Sequence, residues 1–72
     1  MSRPRHRELQ VAELLLEGCD NDEIAKRLGM TKRTVKAHFG RLFLRYQISG
    51  GVKRVKLAVL LYNQQQRNGR LS

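Results

Sequence analysis

An all-α fold of four helices is what the sequence predicts, and three observations lead there. Apolar residues recur at helical spacing in four separate segments of the chain. Glycines close the segments at Gly18, at Gly29 and at Gly50–Gly51. Asp20 and Thr31 stand where helix-capping side chains belong, directly ahead of two of those segments.

Each element follows from these rules. Residues 1–5, "MSRPR", form a basic arm with a proline close to the first helix. In "HRELQVAELLLEG", Leu9, Val11, Ala12, Leu15 and Leu16 share one arc, with Gln10, Glu13 and Glu17 opposite, which predicts a helix over residues 6–17. Glu8 falls on the apolar side, so it is expected to pair with a basic group or a backbone donor. Asp20 and Glu23 have the spacing of a capping box and open a short second helix with Ile24, Ala25 and Leu28 inward. Thr31 caps a third helix from Lys32 to Tyr46, whose inward stripe is Val35, Phe39, Leu42 and Tyr46. "QISGGVK" is a loop, and a fourth helix runs from Lys53 to Gln65. The polar stretch "NQQQRNGRLS" is expected to fray, leaving residues 66–72 as a tail.

With 72 residues the chain makes one small domain, near the lower size limit for an unstapled core. Its 40% hydrophobic content is enough to fold despite the charge. Cys19 is the single cysteine and has no disulfide partner, and with two histidines it makes no zinc-ligand set. A reducing, cytoplasmic setting is expected, without a metal or other cofactor. No segment reaches the roughly 18–20 apolar residues of a membrane span, and no signal-peptide core follows the N-terminus.

The charge is both large and segregated. Net charge is +9, yet residues 8–23 hold all six acids and no lysine or arginine. From Ile24 onward there are twelve lysines and arginines and no acid. A surface built only for solubility mixes the signs, whereas this partition makes one strongly positive region suited to a polyanion. Nucleic acid is the leading candidate and an anionic membrane surface the rival.

The third helix concentrates this pattern. One side carries its apolar stripe; the other carries Lys36, Ala37, Gly40 and Arg41, flanked by Lys32, Arg33 and Arg45. A short helix, a glycine turn and a longer basic helix is the sequence form of a helix-turn-helix, in which the first helix braces the second against the DNA major groove. Gly40 inside a helix costs about 1 kcal/mol relative to alanine. Close approach to another body would offset that cost; the alternative is relief of crowding against a neighbouring helix.

Several motifs in order now resemble one family. Arg7-Glu8, the segment Gly18 to Ala25, and Thr34-Val35-Lys36-Ala37-His38 are similar to the LuxR/GerE-type DNA-binding domain, with the likeness running over residues 7–48 and more loosely into the last helix. The resemblance implies a tetrahelical domain that binds double-stranded DNA as a dimer and regulates transcription. The chain departs from the pattern in Pro4-Arg5 ahead of helix 1, in a longer "ISGGVKR" loop, and in Gly40, where a long contacting side chain often stands.

On this reading Lys36 donates to a guanine edge, Ala37 meets a thymine methyl, and Arg41 reaches a base or a phosphate. Thr31, Lys32, Arg33, Thr34 and Arg45 are expected on the DNA backbone, setting register. Asn21, at the start of helix 2, is either a phosphate donor or a second cap. His38 matches the family position and serves as a phosphate donor or as a packed histidine. On helix 4, Val55, Leu57, Ala58, Val59, Leu61 and Tyr62 cover an arc of roughly 200°, more than one small domain can bury. Leu57, Ala58 and Leu61 are therefore expected at a homodimer interface.

No nucleophile–base pair, carboxylate dyad or metal cluster suggests catalysis. The expected role is to position or block the transcription machinery, with RNA polymerase a candidate partner and no membrane involved. The rivals are a protein-interaction module using helix 4 and the acidic helix 1, a peripheral membrane binder, and a sigma-factor-like promoter reader. Small residues on the basic face and the lack of tryptophan argue against the membrane. Met1 favours a free-standing regulator over the effector end of a longer protein.

Overall fold

The computed structural model describes residues 6–71, with side chains described as far as Arg67. The basic arm expected at residues 1–5 lies outside the described residues. Four helices follow in order: α1 (His6–Leu16), α2 (Asn21–Leu28), α3 (Lys32–Arg45) and α4 (Lys53–Leu71). Among the described residues no strand interrupts them, and no helix is long and apolar enough to cross a membrane.

The helix starts and stops have definite chemistry. Asp20 accepts the Glu23 backbone N–H at 2.9 Å, and Glu23 returns the favour to the Asp20 N–H at 2.9 Å, completing the capping box. Thr31 Oγ1 accepts the Thr34 N–H at 3.1 Å and so opens α3. At the end of α1 the Cys19 N–H donates to Leu14 O at 3.0 Å and the Gly18 N–H to Leu15 O at 2.9 Å. This is a Schellman closure, with Gly18 at φ 89° supplying the left-handed residue. α2 closes similarly at Gly29, φ 66°.

α3 ends by the same device without a glycine. The Ile48 N–H donates to Phe43 O at 2.8 Å and the Gln47 N–H to Leu44 O at 3.2 Å, with Gln47 at φ 56°. The stop therefore precedes Gly50–Gly51. Ile48 and Phe43 both pack against the core, supplying the apolar contact that accompanies such a motif.

Side chains from all four helices meet in one core: Val11, Ala12 and Leu14 of α1, Ile24 and Ala25 of α2, Val35, Phe39 and Leu42 of α3, and Leu57 and Leu61 of α4. Burying each large member contributes about 1.5–3 kcal/mol. The stripe read for α3 holds, with Tyr46 half-buried at its edge. On α1 the arc is shifted: Leu14 is buried, whereas Leu9 is 46% exposed. Three consecutive leucines, Leu14 to Leu16, make the apolar arc wider than the contact, so periodicity alone does not fix its edge.

Two further expectations are corrected on α4. Leu57 is fully buried and Leu61 is 8% exposed inside this chain's own core, so neither is available as a dimer surface; Ala58 is half-buried, and the expectation for it stands untouched. The helix also continues past Gln65 to Leu71, through the stretch expected to fray as a tail. Gln66 and Arg67 extend it as good helix formers, and no proline stops it at Asn68 and Gly69, which are weaker ones.

Glu8 is fully buried and ion-paired, as its position on the apolar arc requires. Its Oε1 accepts from Arg45 Nη2 at 3.3 Å, and Arg41 Nη1 lies 4.0 Å from Oε2. The carboxylate thus ties α1 to the C-terminal half of α3.

The strained closure of α3 gives a measurable expectation. Gln47→Gly should raise stability by about 0.5–1 kcal/mol, because glycine adopts the left-handed region freely. Thermal unfolding should then rise by a few degrees, and an unchanged or lower midpoint would contradict the assigned closure.

Candidate nucleic-acid interface

The buried stripe of α3 decides what its opposite side can do. Val35, Phe39 and Leu42 are 0–3% exposed, so residues on the far side of the helix must face outward. Lys32, Arg33, Thr34, Lys36, Ala37 and Arg41 are all exposed, and Gly40 is half-buried. Fourteen residues give α3 a length of about 21 Å, enough to lie along a major groove about 12 Å wide.

Gly40 has open space above it. A Cβ built there would meet no neighbouring atom within 4 Å, so no adjacent helix demands a glycine. Relief of crowding is excluded inside this chain, and the flat spot between Lys36 and Arg41 is part of the exposed face.

Local charge pairing leaves the α3 face cationic. Glu17 accepts from Arg27 at 3.1 Å, and Asp22 pairs with Lys26 at 3.2 Å. Asp20 and Glu23 are engaged in the cap of α2. No acid among the described residues forms an ion pair with Lys32, Arg33 or Lys36. Their charges remain available to a polyanion.

Four expected contacts need separate treatment. Arg45, expected on the DNA backbone, is 21% exposed, and its guanidinium is held by Glu8, which ties this end of α3 to α1. Arg41 is 59% exposed and sits at the limit of ion pairing with the same carboxylate, which leaves it able to reach outward. Thr31 is exposed, but its hydroxyl is engaged with Thr34 at 3.0 Å as well as with the helix cap. His38 is half-buried, and its Nδ1 is enclosed with no hydrogen-bond partner among the described residues.

Asn21 is not the cap, a role that Asp20 fills. Its Oδ1 accepts from Arg54 Nη1 at 2.6 Å. Arg54 also donates to Cys19 O at 3.4 Å and lies over the Phe39 ring at 4.2 Å. Sequence reasoning did not place Arg54 in the site. An arginine in the first turn of a helix is unfavourable next to the helix dipole, and that was the available signal. Asp20, Asn21, Asp22, Lys32, Lys36 and Arg54 together border one open groove between α2, α3 and the start of α4.

Comparison with known proteins agrees with this geometry. No curated protein and no solved structure gives a significant match. The family model described as "Bacterial regulatory proteins, luxR family" matches residues 6–58, which takes in α1, α2, α3 and the start of α4. An exposed cationic helix braced by a capped two-turn partner, on a chain that this model covers for most of its length, makes the domain a DNA-binding helix-turn-helix of a transcription regulator: the chain belongs to the luxR family of bacterial regulatory proteins.

Proposed function

We propose that α3 enters the major groove of duplex DNA and reads sequence there, with the domain acting as one half of a dimer. The observation that carries this reading is the contrast across one helix, Val35, Phe39 and Leu42 inside and Lys36, Ala37 and Arg41 outside. Lys36 is mid-face and reaches a guanine O6/N7 edge; Ala37 is small enough to meet a thymine methyl. Lys32, Arg33, Thr34 and Arg41 hold phosphates on either side, with Thr31, His38 and Asn21 at the margins. Gly40 lets the backbone approach the groove wall. Such a domain works where the chromosome is, in the cytoplasm, and acts by recruiting or obstructing RNA polymerase.

The dimer uses the outer part of the α4 apolar arc, beside Ala58 and away from the buried Leu57 and Leu61. Val55, Val59 and Tyr62 are spaced i, i+4, i+7 and are 57%, 55% and 55% exposed. They form an apolar strip on the side of α4 turned away from Leu57 and Leu61. A second copy, related by a two-fold axis, covers such a strip with its own equivalent and sets the separation of the two recognition helices.

Four outcomes are expected. Lys36→Ala should cost about 1–3 kcal/mol on a site selected from random duplex and far less on unselected duplex. Titrations by fluorescence anisotropy from about 50 to about 200 mM salt should show roughly a thousandfold loss of affinity; a flat response would overturn the electrostatic reading. Gly40→Ala should stabilise the fold by about 1 kcal/mol while weakening cognate binding, and tighter binding together with greater stability would refute close approach. Val59→Lys should convert the dimer to monomer in sedimentation equilibrium; an unchanged mass would remove α4 from the interface.

A further inference from the structure

The proposed interface leaves Arg54 unexplained. α2 and α4 have no close backbone approach among the described residues, whereas every other pair of helices does. Arg54 crosses that gap with a side chain. Its guanidinium spans three groups: Asn21 Oδ1 at 2.6 Å, Cys19 O at 3.4 Å and the face of Phe39 at 4.2 Å. Such a contact set fixes both the position and the plane of the guanidinium.

Arg54 also fixes its acceptor. An asparagine amide has one acceptor end and one donor end, and the two are interchangeable unless a neighbour discriminates. A guanidinium can only donate, so Asn21 must turn Oδ1 toward it. The Nδ2 donors are left without a protein acceptor among the described residues. Asn21 borders the same groove as Lys32 and Lys36. Both acids on that border are already engaged, Asp20 in the α2 cap and Asp22 with Lys26.

The placement of charge at the start of α4 agrees. Lys53, Arg54 and Lys56 crowd a helix N-terminus that has no acid in its first turn. Cations there oppose the helix dipole. Local contacts offset that opposition: Lys53 lies over Phe43 at 5.8 Å and Lys56 donates to Ser49 O at 3.0 Å.

We propose that Arg54 is a positioning residue of the DNA interface: by holding Asn21 Oδ1 it presents the Asn21 amide N–H groups to a backbone phosphate beside Lys32 and Lys36. The proposal rests on DNA binding by α3 and deepens it. It makes α4 part of the register-setting apparatus, because α4 controls which end of an α2 side chain faces the duplex.

The test uses the whole chain and a short random-sequence duplex, since a phosphate contact needs no cognate site. Loss of duplex binding by the unmodified chain would refute the DNA reading itself, so the variants are interpreted only against a binding wild type. Asn21→Asp keeps an acceptor for Arg54 but removes the amide donors. It should hold or raise the thermal midpoint and weaken binding by up to about tenfold, and Asn21→Ala, which removes the donors without adding charge, should weaken binding as well. Arg54→Lys keeps the charge and loses the fork. It should leave the salt slope near the wild-type value, since the charge is kept, and abolish the selective shift of the Asn21 side-chain amide resonance that duplex produces in the wild type. If Arg54→Lys folds poorly, Asn21→Ala and the wild-type amide resonance still decide the question. Wild-type duplex affinity in Asn21→Ala, or an Asn21 amide resonance indifferent to duplex, would overturn the proposal.

Discussion

Burial of Val35, Phe39 and Leu42 is the constraint on which the rest depends. These three side chains fix the rotation of α3 about its own axis, and that rotation alone decides which residues face outward. Turning a helix by one residue, about 100°, would bring Lys36 toward the core and expose apolar side chains. The cationic face is therefore not held by its own interactions. It is held from behind, by the buried contacts on the opposite side of the helix.

Glu8 adds a second hold at the other end of the helix. A fully buried carboxylate is tolerable only with a partner, and Arg45 on α3 supplies it. One arginine of the basic helix is thereby drawn beneath the surface, and a second, Arg41, is left between the carboxylate and solvent. A uniform count of basic residues would treat both alike. The three-dimensional arrangement separates a half-buried, ion-paired arginine from an exposed one.

Much of this was readable from the residues. The capping box at Asp20, the cap at Thr31 and the glycine closures at Gly18 and Gly29 depend on chemistry within a few residues, and the structure matches them. The α3 stripe was equally clear, because its apolar and basic residues alternate with a clean helical period. The α1 and α4 faces were less clear because apolar residues there exceed what one contact can cover. Leu9 and Leu14 changed places, and Leu57 and Leu61 proved internal, with Val55, Val59 and Tyr62 left outside. Arg45 and Arg54 could not be assigned from spacing, since their partners Glu8 and Asn21 lie 37 and 33 residues away. The closure at Gln47 was hidden because glutamine gives no left-handed signal.

The segregated charge has a kinetic consequence. Glu17, Asp20, Asp22 and Glu23 are engaged near α2, while Lys32, Arg33 and Lys36 have no ion-pair partner among the described residues, so positive charge is concentrated on one side, at α3. In the field of a duplex such a body experiences a torque as well as an attraction. Steering of this kind narrows the rotational search, and the arrival rate it sets falls as ionic strength rises.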